Sequence, residues 1–315
     1  MKYLYIVNVY INMPTWADYD FKKTGDDDTE TAIGWDLTSY ADYLSETDDK
    51  KKEKINRPKE LQGKNKDILK IVKYDSNKHK IKQRKLMEDN IIPSHASAVV
   101  FCGRSGSGKS NLLVNLAERP EFYGKTNKDN PKTGYFDLVF LFSPTCHHDD
   151  LPKYLDIPAS RMYDSDFEGP LKHIIKTQKQ IIEKKGLDKS PKLLIIFDDI
   201  ISQKKFMNSE FFTQMYIQNR HLGISTWVCT QSFNKIPRVC RLQANNLFIF
   251  AGSGSETEIL CQEFAPPHTS KKDFEGLIKY ATDERFNFLH INMRAKPEER
   301  FRKNLDTILT IDKKE

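Results

Sequence analysis

Several things are missing from this 315-residue chain. No stretch approaches the ~18 to 20 consecutive apolar residues that a membrane span needs, so no transmembrane segment is expected. Its five cysteines, Cys102, Cys146, Cys229, Cys240 and Cys261, include no C-x-x-C pair, and two of them lie in apolar, strand-like runs. That pattern fits reduced, buried thiols in a cytosol-like compartment. No internal repeat is visible. The opening apolar run at residues 3–11 is short and is not followed by a small-residue cleavage site, so it reads as a strand and not as a signal peptide.

Charge is present but unevenly spread. The net charge of +6 is modest for the whole chain. Between Asp18 and Asp49, eleven acidic residues face only Lys22 and Lys23, whereas between Lys50 and Lys85 fifteen Lys and Arg face Glu53, Glu60, Asp67 and Asp75. The basic block suits either nucleic-acid phosphates or a solvated linker balanced by its acidic neighbour. Within it, residues 68–74 and 79–82 flank a turn-forming Asp75, Ser76, Asn77, Lys78 and read as a small hairpin. Residues 1–90 therefore form an N-terminal extension, acidic and then basic. Arg300, Arg302, Lys303, Lys313 and Lys314 mark residues 296–315 as a basic tail.

Between these ends, residues 91–295 alternate apolar strands with longer helical stretches, the pattern of an α/β domain with a mainly parallel sheet flanked by helices. Strands are expected at 97–102, 136–142, 192–197, 225–229, 247–251 and 287–292. Helices are expected at 170–185, ending at Gly186, and at 209–222, ending at Gly223. Phe211, Phe212, Met215, Tyr216 and Ile217 on the latter read as core. Cys146, His147, His148, Asp149 and Asp150 have metal-ligand side chains, but neighbours in one loop rarely give tetrahedral geometry, so they read as a polar loop after a strand.

The strongest signal is Gly103, Arg104, Ser105, Gly106, Ser107, Gly108, Lys109 and Ser110, which fits G-x-x-x-x-G-K-[ST] between an expected strand and a helix beginning near Asn111. Glycines let the loop turn tightly, so its amides and the positive end of the helix surround a phosphate chain. Lys109 reaches the β and γ phosphates and the Ser110 hydroxyl binds Mg²⁺, with residues 103–111 forming the nucleotide cradle for ATP.

The run at 192–197 ends in Asp198 and Asp199, at the carboxyl end of a strand, where α/β sheets place ligand chemistry. Asp198 is the expected second Mg²⁺ ligand. Asp199 stands where many such enzymes carry a glutamate that orients or deprotonates water, and it is shorter by one methylene. Gln231, ending a later strand, can contact the γ-phosphate or the lytic water. Arg220, Arg238 and Arg241 are candidates for a guanidinium that stabilises transferring charge, from the same or a neighbouring subunit.

The ordered set of the phosphate loop, Asp198 and Asp199, Arg220 with Gly223 and Ile224, Thr230 and Gln231, then Ile236, Pro237, Leu242, Ala244 and Asn245, resembles the FtsK/HerA superfamily. It is most similar to the genome-packaging ATPases of large eukaryotic DNA viruses and virophages. The resemblance spans roughly residues 91–292.

It implies a RecA-like, additional-strand P-loop core that uses ATP and Mg²⁺ to thread double-stranded DNA into a preformed capsid. A homo-oligomeric ring, pentameric or hexameric, is implied, with a capsid or vertex protein as partner and a location in the host cytoplasm, at the viral factory, or in the virion. Arg220 is then a finger acting in trans, with Arg104 of the phosphate loop as its rival, and Gln231 is a sensor. Lys204, Lys205, Lys271 and Lys272 are candidates for loops that grip the DNA backbone. A non-viral DNA pump of the same superfamily, a small-molecule kinase and a nucleotide switch remain the alternatives.

Overall fold

The computed structural model describes residues 82–126 and 134–310. In chain order these residues form α1 (Lys85–Glu88), β1 (Ala98–Cys102), α2 (Lys109–Glu118), β2 (Leu138–Phe142), α3 (Leu151–Tyr154) and β3 (Met162–Tyr163). Next come α4 (Glu168–Lys185), β4 (Leu193–Asp198), α5 (Lys204–Met207), α6 (Glu210–Leu222), β5 (Ile224–Thr230) and α7 (Arg238–Gln243). The chain continues through β6 (Asn246–Phe250), α8 (Gly254–Phe264), α9 (Lys271–Ala281), β7 (Phe288–Asn292), β8 (Phe301–Lys303) and β9 (Thr307–Leu309).

The strands make one sheet in the order β3-β2-β4-β5-β1-β6-β7-β8-β9. From β3 to β6 every pairing is parallel, and from β6 to β9 every pairing is antiparallel. Here β5 lies between β1 and β4, with Cys102 opposite Thr230 and Asp198 opposite Cys229. The ends of these three strands are therefore level, which brings the loops leaving them to one edge of the sheet.

The parallel strands read as continuous apolar runs because both faces are covered. Along β1, Ala98, Val100 and Cys102 join one buried cluster, while Val99 and Phe101 join the other. The first cluster receives Ile174 and Ile181 of α4, Phe212 and Met215 of α6, Leu260 of α8 and Phe274 of α9. The second receives Leu113 and Leu116 of α2, with Trp227 and Phe248. Ser209 caps α6 by accepting a hydrogen bond from the Phe212 amide, and Gly223 ends it with a φ of +59°. All five cysteines are buried and free.

The six expected strands form within two residues of their expected limits. Three short strands were not expected, and two of them move a boundary. Residues 296–315 were expected to be a basic tail outside the domain, but β8 and β9 continue the sheet, with Phe301 and Arg302 buried. At the other end the folded unit begins before residue 91. Gln83 exchanges hydrogen bonds with the backbone of His95, Arg84 donates to the carbonyls of Pro120, Phe122 and Gly124, and Met87 is buried. The strand at 3–11, the acidic block, most of the basic block and the hairpin expected after residue 68 lie outside the described residues. Among the described residues no helix is long and apolar enough to cross a membrane.

Candidate nucleotide-binding and hydrolytic site

Cys102 ends β1 and the chain turns at once into residues 103–110. The Gly103 amide donates to the Thr230 carbonyl at 3.2 Å, joining the loop to the end of β5. A Cβ at Gly103 would lie 2.7 Å from both Phe250 Cβ and Ser107 Oγ, so the close approach requires glycine. Gly108 precedes α2 with a φ of +105°, also a glycine conformation. It supplies no side-chain cap, and the first turn of α2 holds no acid, so the helix amides remain available to an anion.

Lys109 folds back over the loop, its Nζ donating to the Gly103 carbonyl at 2.8 Å and the Arg104 carbonyl at 3.0 Å. Arg104, Ser105, Gly106, Ser110 and Asn111 are exposed. The Ser107 hydroxyl is buried inside the loop without a hydrogen-bond partner.

Across β5 stands the acid pair. Asp198 is the last residue of β4, and Asp199 comes next in a left-handed conformation with a φ of +48°. The Asp199 amide donates to the Cys229 carbonyl at 3.2 Å, which fixes this turn against β5. Gln231, just past β5, has its Nε2 3.3 Å from each carboxylate oxygen of Asp199. Burial, followed by the charges of Asp199 and Asp149, pushes the Asp198 carboxyl up to about 6, against the pull of Lys109 and a hydrogen bond with Cys229.

Asp149 is a residue that sequence reasoning did not select. It belongs to the loop after β2, where it accepts a hydrogen bond from the Thr145 hydroxyl. Its signal was an acid shortly after an apolar strand, the same signal that marked Asp198. Cys146 of the same loop is buried, and among the described residues no cluster of three or more His, Cys, Asp or Glu side chains is arranged to hold a metal ion.

The structure thus gathers the phosphate loop, Asp198, Asp199 and Gln231 at the carboxyl edge of the sheet. Arg220 is elsewhere. It lies near the end of α6, before β5 begins, so the seven residues of β5 separate it from Gln231; at ~3.3 Å per residue that is about 20 Å. It sits near Arg294, whose guanidinium is lowered to about 10 by burial first and by Arg220 second.

Arg241 is not free for catalysis in this chain. Buried against the body, it grips Glu263 with two hydrogen bonds of 2.9 and 2.7 Å and donates to the Ile236 carbonyl. Arg238 is exposed beside the same carboxylate. Lys204, Lys205, Lys271 and Lys272 are exposed, Lys271 pairing with Glu258 and Glu275.

Residues 85–285 match the family model described as Poxvirus A32 protein. The chain is similar to uncharacterized protein 075L of Invertebrate iridescent virus 6, at 26% identity over 164 residues, covering 52% of this chain and 57% of that protein. The match thus spans little more than half the relative's length. Among solved structures it is similar to the genome packaging NTPase B204 from Sulfolobus turreted icosahedral virus 2 in complex with AMP, with a TM-score of 0.46, 16% identity, and coverage of 66% of this chain and 96% of that one. It is also similar to EssC (ATPases 2 and 3) from Geobacillus thermodenitrificans, with a TM-score of 0.42, 15% identity, and coverage of 62% and 38%.

Proposed function

The chain belongs to the poxvirus A32 protein family, and from that premise we propose that it is an ATP-hydrolysing motor that drives double-stranded DNA into a preformed viral capsid. The observation that carries the hydrolytic part is the contact of Gln231 with Asp199 beside a phosphate loop whose first amide is tied to β5. A glutamine and a carboxylate on either side of one water position it for in-line attack, and the tie to Gly103 lets the state of the phosphates be felt along β5.

The residues fit a magnesium ion. Ser110 and Asp198 offer hard oxygen donors, and Asp198 is held among like charges that a divalent cation relieves. Mg²⁺, when bound, supplies positive charge to the β and γ phosphate oxygens. The remaining work falls to the protein. Amides of the phosphate loop and of the start of α2 cradle the phosphates, and Lys109 exchanges its loop carbonyls for the β and γ oxygens. Asp199 accepts a proton from the attacking water while Gln231 holds that water in line.

Because a motor must pass any sequence, phosphate contacts from exposed lysines such as Lys204, Lys205 and Lys272 are the proposed grip on DNA. Arg220, remote from its own phosphate loop, acts across a subunit boundary in a homo-oligomeric ring, pentameric or hexameric. A capsid or vertex protein completes the assembly at the viral factory or in the virion.

The decisive experiment is steady-state ATP hydrolysis with and without long double-stranded DNA, with Lys109→Ala as the blank. Hydrolysis stimulated by DNA is the expected result. Turnover indifferent to DNA would remove the translocase reading and leave a nucleotide-hydrolysing enzyme of another kind.

A further inference from the structure

We infer that Phe286 is the platform on which the nucleobase stacks, an inference that rests on the phosphate-loop reading above. The sheet order gives the direction. Asp198, Asp199 and Gln231 fix the γ-phosphate end on the β4 and β5 side of β1, so a nucleotide lying along the start of α2 carries its nucleoside end toward β6 and β7. Phe286 stands there, two residues ahead of β7.

Its ring is built against the phosphate loop. A Cβ placed on Gly108 would lie 3.2 Å from Phe286 Cδ1 and 3.5 Å from Phe250 Cε1, so the two rings share the floor beside the loop. Phe250 is buried, whereas Phe286 is 55% exposed. The Arg285 guanidinium carbon sits 4.7 Å from the Phe286 ring centroid, covering part of the ring while more than half of the side chain remains open.

Phe286 also has a φ of +73°, a conformation that bulky residues rarely adopt and that must be held by its surroundings. The surroundings supply that hold. Lys303 of β8 grips Asp283 at 2.8 and 3.0 Å, Asn287 donates to Asp283 at 3.2 Å, and Asn304 bonds both Asn287 and the Phe288 amide. The antiparallel strands beyond β7 thereby brace a loop whose one large apolar side chain faces outward beside the triphosphate cradle. An aromatic face held in this way needs no ordering when a base arrives. Stacking reads the face of the base and not its hydrogen-bonding edge, so the larger purines are favoured over pyrimidines without distinction between ATP and GTP.

The test compares equilibrium binding of ATP and of inorganic tripolyphosphate, both with Mg²⁺, to the full chain. Tripolyphosphate has the phosphates and no base. Phe286→Ala should weaken ATP roughly 5- to 150-fold, the range for losing one stacked base, while leaving tripolyphosphate unchanged. Phe286→Trp should retain ATP. Equal weakening of both ligands by Phe286→Ala would overturn the inference, because the ring would then be shaping the phosphate loop. Unchanged ATP binding would overturn it as well. Lys109→Ala should weaken both ligands; if it weakens neither, the phosphate-loop reading itself fails, a result distinct from either outcome at Phe286.

Discussion

The side-chain nitrogen of Gln231 lies 3.3 Å from both oxygens of the Asp199 carboxylate, bridging the ends of β5 and β4. The contact sets the Gln231 amide and the Asp199 carboxylate side by side at the carboxyl edge of the sheet. Asp199→Asn and Gln231→Ala should each lower the ATP hydrolysis rate by about 10²- to 10⁴-fold while leaving ATP affinity near that of the parent. Equal loss of binding in a direct titration would make Asp199 a structural acid or a metal ligand.

Asp198 should reveal itself through pH. Its carboxyl has an ordinary value of 3.8 and is pushed up to about 6, first by burial and then by Asp199 and Asp149. The folded state therefore holds its proton longer than the unfolded chain does, and folding is penalised progressively as pH climbs between these two values. Below that window the penalty is absent; above it the penalty is complete. Asp198→Asn should thus stabilise the metal-free protein at pH 8, by up to about 3 kcal/mol, and change nothing at pH 3.5. Denaturant titrations at the two pH values measure this, and a variant less stable than the parent at pH 8 would refute it.

Arg241 should matter for stability and not for turnover. Its side chain is 10% exposed and its partner Glu263 is 6% exposed, so truncation leaves a buried carboxylate with only the solvent-exposed Arg238 beside it. Arg241→Ala should cost up to about 3 kcal/mol, less than the full cost of an unpaired buried charge because Arg238 remains. Arg241→Lys, which cannot make the forked contact, should cost part of that. Thermal unfolding reads both, and a variant of parental melting temperature would show that the pair is dispensable.

Arg220 precedes β5 while Asp199 and Gln231, the proposed hydrolytic groups, lie beyond it, so any contribution of Arg220 to phosphate chemistry must come from another subunit. Mixing Arg220→Ala chains with Lys109→Ala chains should give activity that varies non-linearly with the ratio, since neighbours complement each other. A linear dependence on composition would confine Arg220 to its own subunit's structure.

Much of this arrangement was legible because it is local. The phosphate loop is eight consecutive residues, and the strands around it are apolar on both faces, so their runs were unbroken. Other parts depend on the third dimension. Asp149 lies some fifty residues before Asp198 and approaches it only because β2 pairs directly with β4. The strand β8 carries Arg302 and Lys303, two of the basic residues that suggested a tail; that Arg302 is buried cannot be read from composition. Phe286 sits among Asp283, Glu284 and Arg285, where charge masks in the sequence a ring that packs beside Gly108.

The φ of +48° at Asp199 gives a reason for the identity of that acid. The turn that leaves β4 winds left-handed for one residue, a shape in which aspartate and asparagine are several-fold enriched among side chains because their short polar groups bond locally. A longer glutamate would extend further toward a substrate but would sit in this turn at a greater conformational penalty. The shape of the main chain thus favours the shorter carboxylate at this strand end, and that carboxylate is the one the Gln231 amide meets.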